Sequence, residues 1–152
     1  MSSSETERFV ASVRPSLTKI YVNYFRRSNS SNLTGPQLTI MGRLAEDGPA
    51  RISDIAKLEG IRMPTASNAL RQLEDRGMVT RVRETSDRRG VRVELTDAGR
   101  EEFDRVGEER NHFFAQLLEP LSDDEVRRLD DVAPIIIKLA HTLGVSADED
   151  ED

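Results

Sequence analysis

Residues 52–79 read Ile52-Ser53-Asp54-Ile55-Ala56-Lys57-Leu58-Glu59-Gly60-Ile61-Arg62-Met63-Pro64-Thr65-Ala66-Ser67-Asn68-Ala69-Leu70-Arg71-Gln72-Leu73-Glu74-Asp75-Arg76-Gly77-Met78-Val79. Two helical segments divided by a glycine lie in this run. The first spans Asp54 to Glu59, with Ser53 placed to cap it, Gly60 closing it and Ile61 following as an apolar anchor. The second runs from about Met63 to Arg76 and stops at Gly77. Its apolar residues Ala66, Ala69, Leu70 and Leu73 share one face, while Thr65, Ser67, Asn68 and Arg71 fall on the others. A helix that is narrow and polar at its N-terminal end can enter a major groove about 12 Å wide. Its first-turn amides and hydroxyls also suit phosphate oxygens.

Immediately downstream, Val79 to Arg83 and Val91 to Leu95 both alternate apolar and polar residues, the pattern of a hairpin. Between them lies the polar tip Glu84-Thr85-Ser86-Asp87-Arg88-Arg89-Gly90. Residues 76–92 hold six arginines and two acids, and an arginine-tipped ribbon fits a narrow, electronegative minor groove. Upstream, Thr34-Gly35-Pro36-Gln37 has the spacing of a capping box with proline in the first turn. The helix that it opens buries Leu38, Met41 and Leu44 and ends at Asp47-Gly48-Pro49. Helices, a glycine turn, a polar-faced helix and a hairpin, in that order, make a winged helix-turn-helix lobe over residues 34–100. The fold class is mainly α with a small β-hairpin wing.

Long helices flank the lobe. In residues 5–28, Phe9, Val13, Leu17, Ile20 and Tyr24 form one apolar stripe. Pro15 predicts a bend or a late start there. The run Ser28 to Asn32 reads as a loop. Thr96-Asp97 caps a helix over 97–118 striped with Phe103, Val106, Arg110, Phe113 and Leu117, widened by Phe114 and Leu118. Glu119-Pro120 breaks it, Ser122-Asp123-Asp124-Glu125 opens another helix to about Leu143, and Pro134 predicts a kink in that last helix. The small lobe cannot cover all these stripes. Residues 5–30 and 101–144 therefore read as a helical dimerisation region with an interface above about 2,000 Å², and a homodimer is expected. The acidic run at residues 146–152 is expected to be disordered.

The length of 152 residues suits one domain. Cysteine is absent, which excludes disulfides, zinc–cysteine sites and thiol switches. With His112 and His141 as the two histidines, no metal site is expected. No phosphate loop or nucleophile motif is present, so neither a cofactor nor an enzymatic activity is expected. The adjacent acids Glu101-Glu102, Asp123-Asp124 and Asp130-Asp131 point to different helix faces and form no catalytic pair. The N-terminus lacks a signal-peptide pattern and no apolar run approaches a membrane span, so a soluble, cytoplasmic protein is expected. The net charge of −6 is unevenly spread: residues 62–100 carry nine basic and six acidic groups, and residues 101–152 carry five and sixteen. The middle can therefore still face phosphate, since salt screens charges over about 8 Å.

At these residues the sequence resembles the MarR (multiple antibiotic resistance) family of bacterial regulators. Ile52 to Ala56, Gly60 to Ser67 and Leu73 to Val79 look like its helix-turn-helix. Asp87-Arg88-Arg89-Gly90 and Leu95-Thr96-Asp97-Ala98-Gly99-Arg100 look like its wing and the start of the next helix. The likeness follows the helix order over about residues 6–144 and is specific over 52–100. One departure is Glu59, where an apolar residue often precedes the turn glycine. The resemblance implies a DNA-binding transcription regulator, a repressor on a pseudo-palindromic double-stranded operator, dimerised by its first and last helices and often released by a small ligand.

The residues expected at DNA are Arg62, Met63, Pro64, Thr65, Ser67, Asn68, Arg71, Arg88 and Arg89. Asp87 either orients Arg89 by an ion pair or is an ordinary turn aspartate. Arg71 either meets phosphate or pairs with Asp75 at i+4. A small aromatic or amphipathic effector would sit near Tyr24, Met41 and Phe103; Tyr21, Tyr24 and Phe25 fit such a pocket or equally a core or dimer interface. His112 is a further candidate for sensing a ligand. The alternative function is a winged-helix module that binds protein instead of DNA, since fold alone does not fix function. The wing arginines favour DNA.

Overall fold

A computed structural model describes residues 2–28, 32–83 and 91–142. Six helices and one antiparallel hairpin follow in the order α1 (Ser3–Ser28), α2 (Gly35–Asp47), α3 (Ile52–Leu58), α4 (Met63–Asp75), β1 (Val79–Arg83), β2 (Val91–Leu95), α5 (Asp97–Leu118) and α6 (Asp123–Thr142). The acidic run at 146–152 and the loop at 29–31 lie outside the described residues. No described helix is long and apolar enough to cross a membrane.

The helix signals operate largely as the sequence predicts. Thr34 accepts from the Gln37 amide at 3.4 Å, and the Gln37 side chain accepts from the Thr34 amide at 2.8 Å, which completes the capping box. Both α3 and α4 end on a glycine in the left-handed region, Gly60 at φ 61° and Gly77 at φ 70°. The amide after each glycine reaches back into the helix: Ile61 to the Ala56 carbonyl at 2.9 Å and Met78 to the Leu73 carbonyl at 2.9 Å. These bonds satisfy carbonyls that a helix end otherwise leaves open. Ser53 does not cap α3. The helix starts at Ile52 with Arg51 as its extended N-cap and no capping side chain. The earlier start puts Ile52 on the same face as Ile55, and both meet the core. Helix α1 runs as a single helix from Ser3 through Pro15 rather than starting late, and α6 runs through Pro134.

The core lies where α2, α3, α4 and the hairpin meet. Ile40, Met41, Leu44, Ile55, Leu73 and Val93 are fully enclosed, and Val106 brings α5 onto the same cluster. The strands pair from Val79↔Leu95 to Arg83↔Val91. A further bridge joins Ala50 to Val93, with amide–carbonyl distances of 3.1 and 2.8 Å. That bridge ties the segment after α2 to the inner strand of the wing. At the base of the wing the Thr96 hydroxyl donates to the Gly77 carbonyl at 2.6 Å and accepts from the Gly99 amide at 3.0 Å. The Thr96 amide donates to the Met78 carbonyl at 3.1 Å. One threonine thus joins the end of α4, the start of β1 and the first turn of α5.

The outer helices are covered far less well. Helix α6 buries no residue in the single chain, and Ile135, Ile136, Ile137 and Leu139 are 57–62% exposed. On α1, Phe9, Leu17 and Tyr21 are exposed to the same degree.

Candidate nucleic-acid interface

Helix α4 turns one face to the core and the other to solvent. Ala66, Ala69, Leu70 and Leu73 are buried. Arg62, Met63, Pro64, Thr65, Ser67, Asn68 and Arg71 are all exposed. The helical period of 3.6 residues produces this division from the spacing alone. Arg62 is the extended N-cap, Pro64 lies in the first turn, and no side chain caps the helix, so its first amides are open to an external acceptor. Arg71 donates from Nη2 to Asn68 Oδ1 at 2.9 Å rather than pairing with Asp75. The bond joins two exposed side chains on the outer face.

Several bonds set the pitch of this helix, and the sequence signals did not reveal them. Glu74 of α4 holds Arg81 of β1 with two bonds, Nε to Oε1 at 2.5 Å and Nη2 to Oε2 at 3.0 Å. The hydrogen bond to Glu74 keeps the Arg81 guanidinium even more firmly protonated than usual. Arg76 donates to the Asn32 carbonyl at 3.0 Å. The buried Gln37 side chain donates to Gln72 at 2.7 Å. Two of the six arginines counted in the basic hairpin, Arg76 and Arg81, thus serve the frame of the lobe. Composition counts charges; it does not say which of them a fold ties up in its own bonds.

Glu59 also finds its reason here. Arg43 of α2 donates from Nε to Glu59 Oε1 at 2.9 Å and makes a second contact through Nη2. Asp47 takes a third guanidinium bond at 3.2 Å. The bond to Glu59 is the main cause that raises the Arg43 pKa. An ion pair therefore anchors the turn where an apolar contact would otherwise do so. Separation of 16 residues hides such a pair from any local reading.

The wing residues Asp87, Arg88 and Arg89 lie outside the described residues. The strands lead to them at Arg83 and Val91, both exposed.

The three residues expected around an effector do not converge. Met41 is sealed in the core, and Phe103 packs against that core, its ring 3.4 Å from where a Cβ on Gly42 would lie. Tyr24 instead meets Phe114 at 5.1 Å and Phe113 at 6.5 Å between ring centres, with the Arg110 guanidinium 5.0 Å from its own ring. Phe113 lies about 15 Å along α5 from Phe103. Arg110 Nε is buried and has no hydrogen-bond partner. A hollow of about 200 Å³ beside this cluster is lined by Asn23, Phe113, Gln116 and Leu117. His112 lies 3.3 Å from the Gln116 amide, and the Phe25 side chain falls outside the described residues.

Comparison with known proteins agrees with this geometry. The family model of the MarR family matches residues 33–91. The HTH-type transcriptional regulator FarR of Neisseria gonorrhoeae is 30% identical over 115 residues, covering 76% of this chain and 79% of the relative. A MarR family protein from Bacillus stearothermophilus superposes with a TM-score of 0.76 at 25% identity, over 88% of this chain and 96% of that one. NadR, solved in complex with 4-hydroxyphenylacetate, superposes with a TM-score of 0.60 at 25% identity, over 83% and 89%. A winged lobe with an open polar face on its second helix, matched by relatives over most of their length, leads to one assignment: the chain belongs to the MarR family of DNA-binding, winged helix-turn-helix transcription regulators.

Proposed function

We propose that this regulator is a repressor that binds a pseudo-palindromic operator as a homodimer. Residues 5–30 and 101–144 form the dimerisation region and residues 34–100 the DNA-binding lobe. The observation that carries the reading is the outer face of α4, where seven candidate contact residues are all exposed above a fully packed inner face. In a two-fold dimer the two copies of α4 would enter successive major grooves about 34 Å apart. Arg88 and Arg89 would reach the flanking minor grooves, with Asp87 orienting a guanidinium. Arg62, Pro64, Thr65, Ser67 and Asn68 would contact base edges or phosphates, and Arg71 a phosphate. A protein-binding role for the lobe has no such support, because nothing in it requires Thr65, Ser67, Asn68 and Arg71 to stand uncovered along one side of α4.

A binding titration against operator, flank-swapped operator and random duplex at two salt concentrations tests this division of labour. Arg89→Ala should cost about 1–3 kcal/mol per site, more on A·T-rich flanks, where the narrow groove holds arginine best. Arg71→Ala should weaken all three duplexes alike and reduce the salt slope by about one per site. Parental affinity in the Arg89 variant would mean that the wing makes no contact of consequence.

The regulator is further proposed to release DNA on binding a small aromatic or amphipathic effector. Tyr24 supports this reading most strongly among Tyr24, Met41 and Phe103, because it lies within an aromatic cluster beside an arginine whose Nε lacks a partner. A carboxylate would supply that partner, and the structural neighbour NadR holds an aromatic acid. The ligand can shift DNA affinity only by binding the two arrangements of the dimer differently. With 4-hydroxyphenylacetate and benzoate as probes, Arg110→Gln should weaken binding about tenfold or more. Equal binding by parent and variant would remove Arg110 from the site.

A further inference from the structure

The winged lobe keeps its large apolar side chains inside, with three exceptions among the described residues: Leu58, Met63 and Val91. The first two flank the helix-turn-helix turn, Leu58 at the end of α3 and Met63 at the start of α4. Met63 is 43% exposed and occupies the first turn of the helix proposed to enter the major groove. Pro64 follows it and carries no amide hydrogen to offer a phosphate. Thr65, exposed beside them, adds a methyl group. The leading end of α4 is therefore more apolar than a helix built only to donate hydrogen bonds to base edges.

We propose that Met63 reads the 5-methyl group of a thymine in each operator half-site. Thymine alone among the four bases presents an apolar group on its major-groove edge. A methionine side chain is long, unbranched and polarizable, so it can lie against that methyl without demanding one rotamer. The contact removes apolar surface of both partners from water. The inference rests on the reading of α4 as the major-groove helix and adds to it the base that the first turn selects. Isolated apolar side chains are common on protein surfaces. Here the exposed methionine lies in the first turn of the helix proposed to enter the groove.

The experiment uses the full chain and an operator recovered by selection from a random duplex library. Each thymine is replaced in turn by uracil, which deletes the methyl and preserves every hydrogen-bonding group. At one symmetry-related pair of positions, uracil should weaken binding by the parent about fourfold for one half-site and about fifteenfold for both. Met63→Ala should bind the thymine and uracil operators equally. Its melting temperature should match the parent's, because Met63 contributes nothing to the core. The inference is overturned if uracil is neutral at every position, or if the uracil effect persists undiminished in Met63→Ala. The broader reading of α4 fails separately, if Asn68→Ala and Arg71→Ala bind the selected operator as the parent does.

Discussion

Gly99→Ala should unfold at a temperature about 10 °C or more below the parent, and operator binding should fall with it. A Cβ on Gly99 would lie 1.9 Å from the Met78 carbonyl oxygen, 2.8 Å from its carbon and 3.1 Å from its Cα. All three atoms are backbone, so no rotamer change relieves the overlap. Met78 cannot retreat easily. It sits between Gly77, which holds the left-handed turn that ends α4, and Val79, which is buried at the start of β1. Its carbonyl also accepts the Thr96 amide. Making room for one methyl group means lifting the first turn of α5 off the base of the wing and stretching the Thr96 bonds to Gly77 and Met78. Overpacking of a yielding core costs about 1–3 kcal/mol; an unyielding backbone contact should exceed that. For a chain of this size about 3 kcal/mol corresponds to roughly 10 °C. Gly35→Ala is the matched control, since nothing lies within 4 Å of its Cβ position and its φ is ordinary. It should stabilise by about 0.4–1 kcal/mol by restricting the unfolded chain. Calorimetric melting of both variants decides, and a Gly99→Ala protein that melts with the parent would show that the contact is not tight in solution.

Ile136→Asp should convert the proposed dimer to monomer and lower operator affinity by about 100-fold or more. Ile135, Ile136 and Ile137 are consecutive, so their side chains spread through about 200° around α6. All three are more than half exposed in the single chain. A helix this apolar over so wide an arc needs neighbours on more than one side, which a second copy with its own α1, α5 and α6 can supply. An aspartate in such an interface loses hydration without gaining a partner. Separation of the protomers also removes the effective-concentration advantage of two linked half-sites, commonly 10²–10⁴ in affinity. Because α6 contributes no residue to the core, the lobe should keep its fold and retain weak, single-site binding. Sedimentation and DNA titration read the two effects together. A variant that stays dimeric at micromolar concentration would place the interface elsewhere.

The order of elements was legible because this chain marks its boundaries with strong local signals. The Thr34 and Ser122 capping boxes, the Gly60 and Gly77 stops and the alternation of Val91–Leu95 all act within a few residues, and each has its predicted counterpart in the fold. The exposed face of α4 was legible for the same reason, being a matter of helical period. What escaped detection depends on contacts between distant residues. Arg43 meets Glu59, Gln37 meets Gln72, and Ala50 meets Val93, across 16, 35 and 43 positions. Ser53 misled because a favourable capping residue lost to the burial of Ile52 next to it. Tyr24, Met41 and Phe103 suit a ligand by residue type but stand on three helices, and helical geometry sets Phe103 and the Tyr24 cluster apart along α5.

The bridge at Ala50 bears on how this protein behaves when crowded. A hairpin that projects into solvent is a ready template for another strand, and its edges are the danger. Both backbone polar groups of Val93 are taken by Ala50, so one edge of the wing is closed at its middle. Because antiparallel pairs alternate, the backbone groups of Arg81, opposite Val93, and of Arg83 two residues on face the open edge. Arg81 is held by Glu74, and Arg83, exposed two residues on, carries a positive charge that repels a second copy of the same strand. Charge at the open edge of the hairpin thus acts as a gatekeeper against self-association, and concentrated, DNA-free protein should stay dispersed because of it.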